Sequence, residues 1–395
     1  MRRLLLALAV LLVSAPSAQA ISAPTLRGSL DRAMRGTSVF SGAYVRDLAT
    51  GRTLFSAKPD VPRAPASVEK LYTTATALLR FGPDATLRTS VLGQGAIDQL
   101  GVWRGDLYLR GGGDPTLGAP GIQALADAIG NAGIVRVAGS ILGDESRFDV
   151  LRGSFDTGGR FDPDMDGVLG ALVVGRGFTK DGQPAAQAAI RLAKALRADG
   201  IAVDGPSGAG TAPPTAQELA GVDSPPMRDL IGLINVPSDN FLAEMLVKGL
   251  GAAFGGAGTT AAGTAVVRQQ MATFGIHPTV LDGSGLARAD RTTPREVVRL
   301  LERMHGQPVA GAFEGSLPVV GRTGTLRKRM RGTAAQDRCR AKTGTLIGVS
   351  TLAGVCDAAG GHTIAFAMMM GRASVTRAHA VQDRMTTAIA RYDGP

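Results

Sequence analysis

Residues 65–74 read PASVEKLYTT, a proline and two small residues running into an amphipathic stretch, with Ser67 three positions before Lys70. Val68, Leu71, Ala75, Leu78 and Leu79 recur at helical spacing, so a helix is expected to begin at Ser67. Positions i and i+3 share a helix face. A serine hydroxyl is a poor nucleophile until a base takes its proton, and a desolvated lysine can be neutral near pH 7. The first helical turn also offers unpaired N–H groups where a developing oxyanion can be held. The same residues fit a plainer reading, in which Ser67 caps the helix and Lys70 reaches water. The rest of the chain has to decide.

Two further motifs lie downstream. Ser238-Asp239-Asn240 follows Val236-Pro237, with Ser238 where a helix cap is expected. There Ser238 could relay a proton, and Asn240 could turn its amide into the same cleft to bind a substrate carbonyl. Lys342-Thr343-Gly344-Thr345 lies on a strand-like run, so Lys342 and Gly344 face one way while Thr343 and Thr345 face the other. A glycine there lets a substrate backbone or a neighbouring element come close. Lysine with threonine hydroxyls suits a terminal carboxylate. Taken singly, each motif also fits a structural role, as a cap or a solvated edge strand.

The chain around these motifs divides by texture. Val39–Val45 and Thr53–Ser56 bracket a polar turn and read as a hairpin. Between Gly95 and about Gly205, short apolar runs alternate with glycine-rich turns. Strands are expected at 106–110, 134–142 and 169–174, with helices over 117–132 and 186–199. GPSGAGTAPPT at 205–215 reads as an exposed loop. Helices then dominate, at 227–235, 239–250, 259–274 and from Thr293-Pro294, a cap and an N1 proline, to about 304. DGSG at 282–285 reads as a tight turn. Strands over 338–346, 349–357 and 362–370 precede a C-terminal helix, 376–392. Strands from both ends around a helical middle imply a discontinuous α/β (α+β) domain, residues 21–94 with 206–395. A smaller inserted α/β domain, 95–205, interrupts it.

Composition bounds the class. Apolar content of 44% argues against disorder, and a chain of 395 residues can bury a large core. Residues 1–20 read as a signal peptide, with Arg2 and Arg3, an apolar run Leu4–Val13 and Ala18-Gln19-Ala20 at the cut. No later stretch has the length and apolarity of a membrane span. The mature protein is therefore expected to be soluble and exported, periplasmic or at the cell wall. Export lets Cys339 and Cys356 oxidise, and they flank a hairpin-like run, so they are read as one disulfide rather than two buried thiols. Without Arg2 and Arg3 the chain carries 41 basic and 33 acidic residues, a formal +8. The basic residues are dispersed apart from Arg327–Arg331 and are not interleaved with aromatics, which argues against nucleic acid and favours peripheral contact with an anionic cell wall or membrane surface. The four histidines have no metal-ligand spacing, so neither metal nor other cofactor is expected.

The order of the three motifs is more telling than any one of them. S-x-x-K, then S-D-N, then K-T-G along one exported chain is the combination of penicillin-binding proteins and class A β-lactamases. Ser238 lies 171 positions after Ser67. That separation resembles the D-alanyl-D-alanine carboxypeptidase/endopeptidase family of penicillin-binding proteins, peptidase family S13 (class C, type 4), whose members carry an inserted domain between the first two motifs. SGAYVRDLATGRTLFS (41–56), GDLYLRGGGDPTL (105–117), DGSGLARADRTTP (282–294), GSLPVVGRTGTLRKRM (315–330) and KTGTLIGVSTLAG (342–354) are similar to that family as well.

The resemblance implies a β-lactamase/transpeptidase-like catalytic domain, an antiparallel sheet flanked by helices with an all-helical side. It implies Ser67 as acylated nucleophile and Lys70 as its base, with Ser238 shuttling the proton and helping to position Lys70. Asn240 would orient the scissile peptide, Lys342, Thr343 and Thr345 would receive the substrate carboxylate beside Gly344, and the N–H groups of Ser67 and Thr345 would hold the oxyanion. Peptidoglycan stem peptides ending in D-Ala-D-Ala are the implied substrates and β-lactams the implied inhibitors. Cutting of D-Ala–diaminopimelate crosslinks is a second implied activity. A β-lactamase and a non-catalytic wall-binding scaffold are the alternatives; the first lacks an identifiable deacylating glutamate and the second would not need all three motifs. The longest family members nest a third, β-rich domain in the insert. Here ALVVGRG (171–177) runs almost directly into the helix expected at 186–199, so that domain is expected to be absent or vestigial. A hairpin turning near Gly348 would set Cys339 opposite Cys356 and Lys342 opposite Ala353.

Overall fold

The computed structural model describes residues 20–179 and 182–394. The expected signal peptide therefore lies outside the described residues except for its last position. Helix α1 (Ala23–Arg35) leads into strands β1 (Gly42–Asp47) and β2 (Thr53–Ala57), and then into α2 (Lys70–Phe81). An excursion follows through β3 (Arg88–Gly93), β4 (Ala96–Ile97), β5 (Val102–Arg104), β6 (Leu107–Arg110), α3 (Ala119–Asn131), β7 (Arg136–Val137) and β8 (Ile141–Asp144). It closes through α4 (Pro184–Ala198), β9 (Ala202–Val203), β10 (Ser207–Ala209) and β11 (Gln217–Asp223). Helices α5 (Met227–Asn235), α6 (Asn240–Phe254), α7 (Thr260–Ala272), α8 (Pro294–His305) and α9 (Ala310–Gly315) form the middle. Strands β12 (Cys339–Leu346), β13 (Val349–Asp357) and β14 (Thr363–Gly371) and helix α10 (Val375–Ala390) complete the chain.

The main sheet has the order β12-β13-β14-β1-β2, all antiparallel, so both ends of the chain build one sheet. Its faces differ in a way the pleat dictates. Along β14, Ile364, Phe366, Met368 and Met370 join the core under α1 and α10, while Ala365 and Ala367 join the core of the helical middle. Large side chains fill the first interface, each contributing about 1.5–3 kcal/mol. Alanines on the second let α8 pack close to β14 and β1. Local chemistry sets the helix ends. Thr293 and Glu296 form a reciprocal capping box with Pro294 at the first helical position, and Asp239 accepts from Leu242 N to start α6.

The excursion carries its own sheet, β10-β8-β6-β3-β11, and a smaller one, β4-β5-β7-β9, packed on α3 and α4. Its first sheet takes in β3, β10 and β11, which lie outside the expected limits of 95–205, so we place the division near 87 and 224. Residues between β8 and α4 turn back to the helical middle, where Phe148, Met165 and Leu169 enter the main core. The strand expected over 169–174 does not form. That segment is wedged between two cores, with Leu169, Ala171 and Val173 in one and Leu172 and Val174 in the other, and it belongs to no ladder. Its alternating burial imitates a strand. Among the described residues from Glu145 to Ile201 there is no strand at all. Nor is any helix among the described residues long and apolar enough to cross a membrane.

The β12–β13 register puts Cys339 opposite Cys356 and Lys342 opposite Ala353, and both cysteines are fully buried and disulfide-bonded. The bridge closes a hairpin of sequence separation 17. Replacing both cysteines with alanine is expected to remove about 3 kcal/mol of stability, the entropy of so short a loop. Unfolding free energies extrapolated from denaturant curves, each with its own m-value, measure it; equal values would mean that the ladder alone holds the hairpin.

Candidate active site

Ser67 lies in a 3₁₀ turn, Ala66–Glu69, immediately ahead of α2, and makes no capping bond. Packing explains the departure from a regular helix start. Ala66 has φ 48°, a left-handed conformation that a non-glycine residue adopts only when its surroundings hold it there. Thr351 Oγ1 donates to Pro65 O at 2.7 Å, tying the turn to β13. Gly344 of β12 presses on it, since a Cβ there would lie 3.0 Å from Ser67 N and 2.2 Å from Thr351 Oγ1. Gly285, at φ 80°, closes the other side, where a Cβ would sit 2.0 Å from Ala66 O. Two glycines and a threonine thus shape the serine turn.

Lys70 is fully buried, and its Nζ has three neighbours: Ser67 Oγ at 3.1 Å, Asn240 Oδ1 at 2.6 Å and Ser284 O at 2.7 Å. The last two can only accept. A neutral amine has two hydrogens, so both are taken and the lone pair is left facing the serine hydroxyl. Asn240 is held in that orientation because its Nδ2 donates to Asp164 O at 2.7 Å. Burial lowers Lys70 to about 8 against the pull of nearby carboxylates, Asp282 foremost, so a useful fraction is neutral at physiological pH.

The second and third motifs meet at the other lysine. Lys342 is fully buried and donates to Ser238 Oγ at 2.7 Å and to Thr343 O at 2.9 Å. Burial, and then the nearby Lys70, hold its ammonium well below the ordinary lysine range. Ser238 has φ 69° and is not the cap of α6; that role belongs to Asp239. Its hydroxyl is held by Lys342, while Asn240 and the Ser284 carbonyl hold Lys70. Thr343 Oγ1 bonds Thr325 Oγ1 at 2.8 Å, and Thr345 is exposed at the end of the strand. The structure thus brings Ser67, Lys70, Ser238, Asn240, Lys342, Thr343 and Gly344 into one linked set.

The excursion reaches into this set. Arg176 binds Asp239 through two bonds, at 2.8 and 3.1 Å, and its guanidinium lies 4.8 Å from the Phe241 ring centroid. The start of α6, and with it Ser238 and Asn240, is latched from outside the helical middle. Sequence reasoning missed Arg176, Asp164 and Ser284. Asp164 and Ser284 act through main-chain carbonyls, which leave no side-chain signature, although DGSG at 282–285 did mark a turn.

The D-Ala-D-Ala carboxypeptidase 3 (S13) family model matches residues 26–162 and 176–392. A D-alanyl-D-alanine carboxypeptidase of Actinomadura sp. (strain R39) is 32% identical over 92% of this chain and 83% of its own length. Carboxypeptidase DacB of Mycolicibacterium smegmatis is 31% identical over 84% of this chain and 76% of its own length. Among solved structures, penicillin binding protein 4 (dacB) of Haemophilus influenzae matches with a TM-score of 0.78 at 20% identity, covering 90% of this chain and 97% of that one. That protein has also been solved with a β-lactam. The fold is of the β-lactamase/transpeptidase-like type.

If Lys70 must be neutral to act, acylation of Ser67 by a β-lactam should rise about tenfold per pH unit below about pH 8 and level off above it. Stopped-flow acylation rates from roughly pH 6 to roughly pH 10, about two units either side of that break, test this. A flat profile would remove Lys70 as the base.

Proposed function

Because the chain belongs to the D-Ala-D-Ala carboxypeptidase 3 (S13) family, we propose that it is a serine-type D-alanyl-D-alanine carboxypeptidase working on peptidoglycan stem peptides through an acyl-enzyme on Ser67. The observation that carries this reading is the three-way setting of Lys70, with two obligate acceptors on one side and Ser67 Oγ on the other. Lys70 takes the Ser67 proton as Oγ attacks the penultimate D-Ala carbonyl. The carbonyl π bond breaks, and the negative charge on its oxygen is held by the N–H groups of Ser67 and Thr345. Collapse of this intermediate expels the amine of the last D-alanine, which takes by way of Ser238 the proton that Lys70 had gained and leaves Lys70 neutral again. Water, deprotonated by Lys70, then releases the acyl group and restores the hydroxyl.

The remaining residues set the substrate. Lys342 with Thr343 and Thr345 receives the terminal carboxylate, and Asn240 orients the peptide. A β-lactam presents a carbonyl and a carboxylate in the same relation but keeps its leaving amine tethered, so deacylation stalls. A DD-endopeptidase reaction would use the same acyl-enzyme with a crosslink amine as leaving group. The buried disulfide supports a place outside the reducing cytoplasm. A groove of about 680 Å³ lined by Arg32, Arg384 and Arg391, near exposed Arg327, Lys328 and Arg331, supports peripheral contact with an anionic wall or membrane surface.

Intact mass after incubation with benzylpenicillin, with the adduct mapped by proteolysis, tests the reading. One stoichiometric adduct on the Ser67 peptide is expected, absent in Ser67→Ala. Unmodified folded protein with intact penicillin would favour a scaffold, and rapid turnover of the drug a β-lactamase.

A further inference from the structure

Behind Lys70, away from Ser67, lies a group of carboxyls that the acyl transfer does not use. Glu69, Glu244, Asp282 and Asp290 are all buried, with at most 1% exposure. Three of them shape the loop 281–290. Glu244 Oε1 accepts from Gly283 N at 2.9 Å and Ser284 N at 2.8 Å. Asp282 accepts from Gly285 N and Ala287 N, both at 2.7 Å, and Asp290 from Leu281 N at 2.8 Å. That loop presents the Ser284 carbonyl to Lys70. Glu69 differs, since neither of its oxygens has a hydrogen-bond partner. It packs against the loop instead, where a Cβ on Gly285 would lie 2.8 Å from Glu69 Cβ.

Charge decides what such a group can do. Four carboxylates around one ammonium would lock Lys70 in its protonated form and end its use as a base. A buried carboxyl with no donor is stable only with its proton on. Burial, then Asp290 and Asp282, push Glu69 well above the ordinary carboxylate range. Burial, then Asp282, push Glu244 up to about 8 and Asp290 up to about 10. The other charged groups are accounted for. Lys70 is also faced by Asp239, which Arg176 neutralises, and by Lys342 across the cleft. Lys248 faces Glu244, while Tyr72 faces Glu69 with Glu296 behind it.

We propose that Glu244 and Glu69 are positioning residues for Lys70 that work as neutral carboxyls. Glu244 locks the Gly283–Ser284 backbone so that the Ser284 carbonyl holds the amine, and Glu69 fills the space beneath without supplying a counter-charge. The inference rests on Ser67 as nucleophile and Lys70 as base, so the Ser67 adduct on the unmodified chain is established first; its absence would fault that reading alone.

The rate of benzylpenicillin acylation is then measured against pH for Glu69→Gln, Glu244→Gln and Glu244→Leu. Glutamine keeps an acceptor oxygen and stays neutral, so both Gln variants should acylate within about threefold of the parent with the acid limb unmoved. Glu244→Leu keeps volume without an acceptor and should lose about tenfold or more. An acid limb shifted to lower pH in either Gln variant would mean that a carboxylate charge had been holding Lys70 protonated, and would overturn the proposal. So would a parental rate in Glu244→Leu. If the Leu variant does not fold, the limbs of the two Gln variants decide alone.

Discussion

The hydrogen bonds from Lys70 Nζ to Asn240 Oδ1 and Ser284 O are what the rest of the structure serves. Each acceptor comes from a different part of the chain, and neither can donate. Together they settle where the hydrogens of a neutral amine go, and so where its lone pair points. A buried lysine ringed by three obligate acceptors would have kept all three hydrogens and been an inert cation. The same side chain with two acceptors and one hydroxyl is a directed base.

Keeping those partners in place draws on three separate packing solutions. The serine turn is clamped between β12–β13 and the 281–290 loop, with glycine at both points of closest approach. The N-terminus of α6 is clamped by the Arg176–Asp239 pair, partly buried and bidentate, a geometry worth more than an open surface pair. Strand β12, which carries the third motif, is tied to its neighbour by the disulfide and lies at the edge of the sheet, where no further ladder would fix it. Sites built on such rigid supports tolerate little slack.

Much of this was readable in the residues, and the failures have physical causes. Strands β12, β13 and β14 and the pairing of Cys339 with Cys356 follow from alternation and a single turn, both local. The capping box at Thr293 is equally local. Ser67 departs from a regular helix start because strands more than 270 positions away press on its turn. Residues 169–174 carry the alternation of a strand because they separate two cores, a tertiary fact without a local mark. Strands β3 and β11 went unread; β11 (QELAGVD) is largely half-exposed and carries a weak apolar signal. All the candidate side chains of the three motifs were legible. The groups that orient them, the carbonyls of Ser284 and Asp164, are backbone atoms that any residue could supply.

One of those carbonyls lies in an unusual place. The family pattern breaks between residues 162 and 176, and Asp164, which receives the Asn240 amide, falls inside that gap while Arg176 bounds it. Within a short stretch the chain thus touches α6 twice, at Asp164 inside the gap and at Arg176 on its far edge. The Asn240 amide thus leans on a stretch outside the matched family pattern, and any change in its length would move the acceptor on which the Lys70 geometry rests.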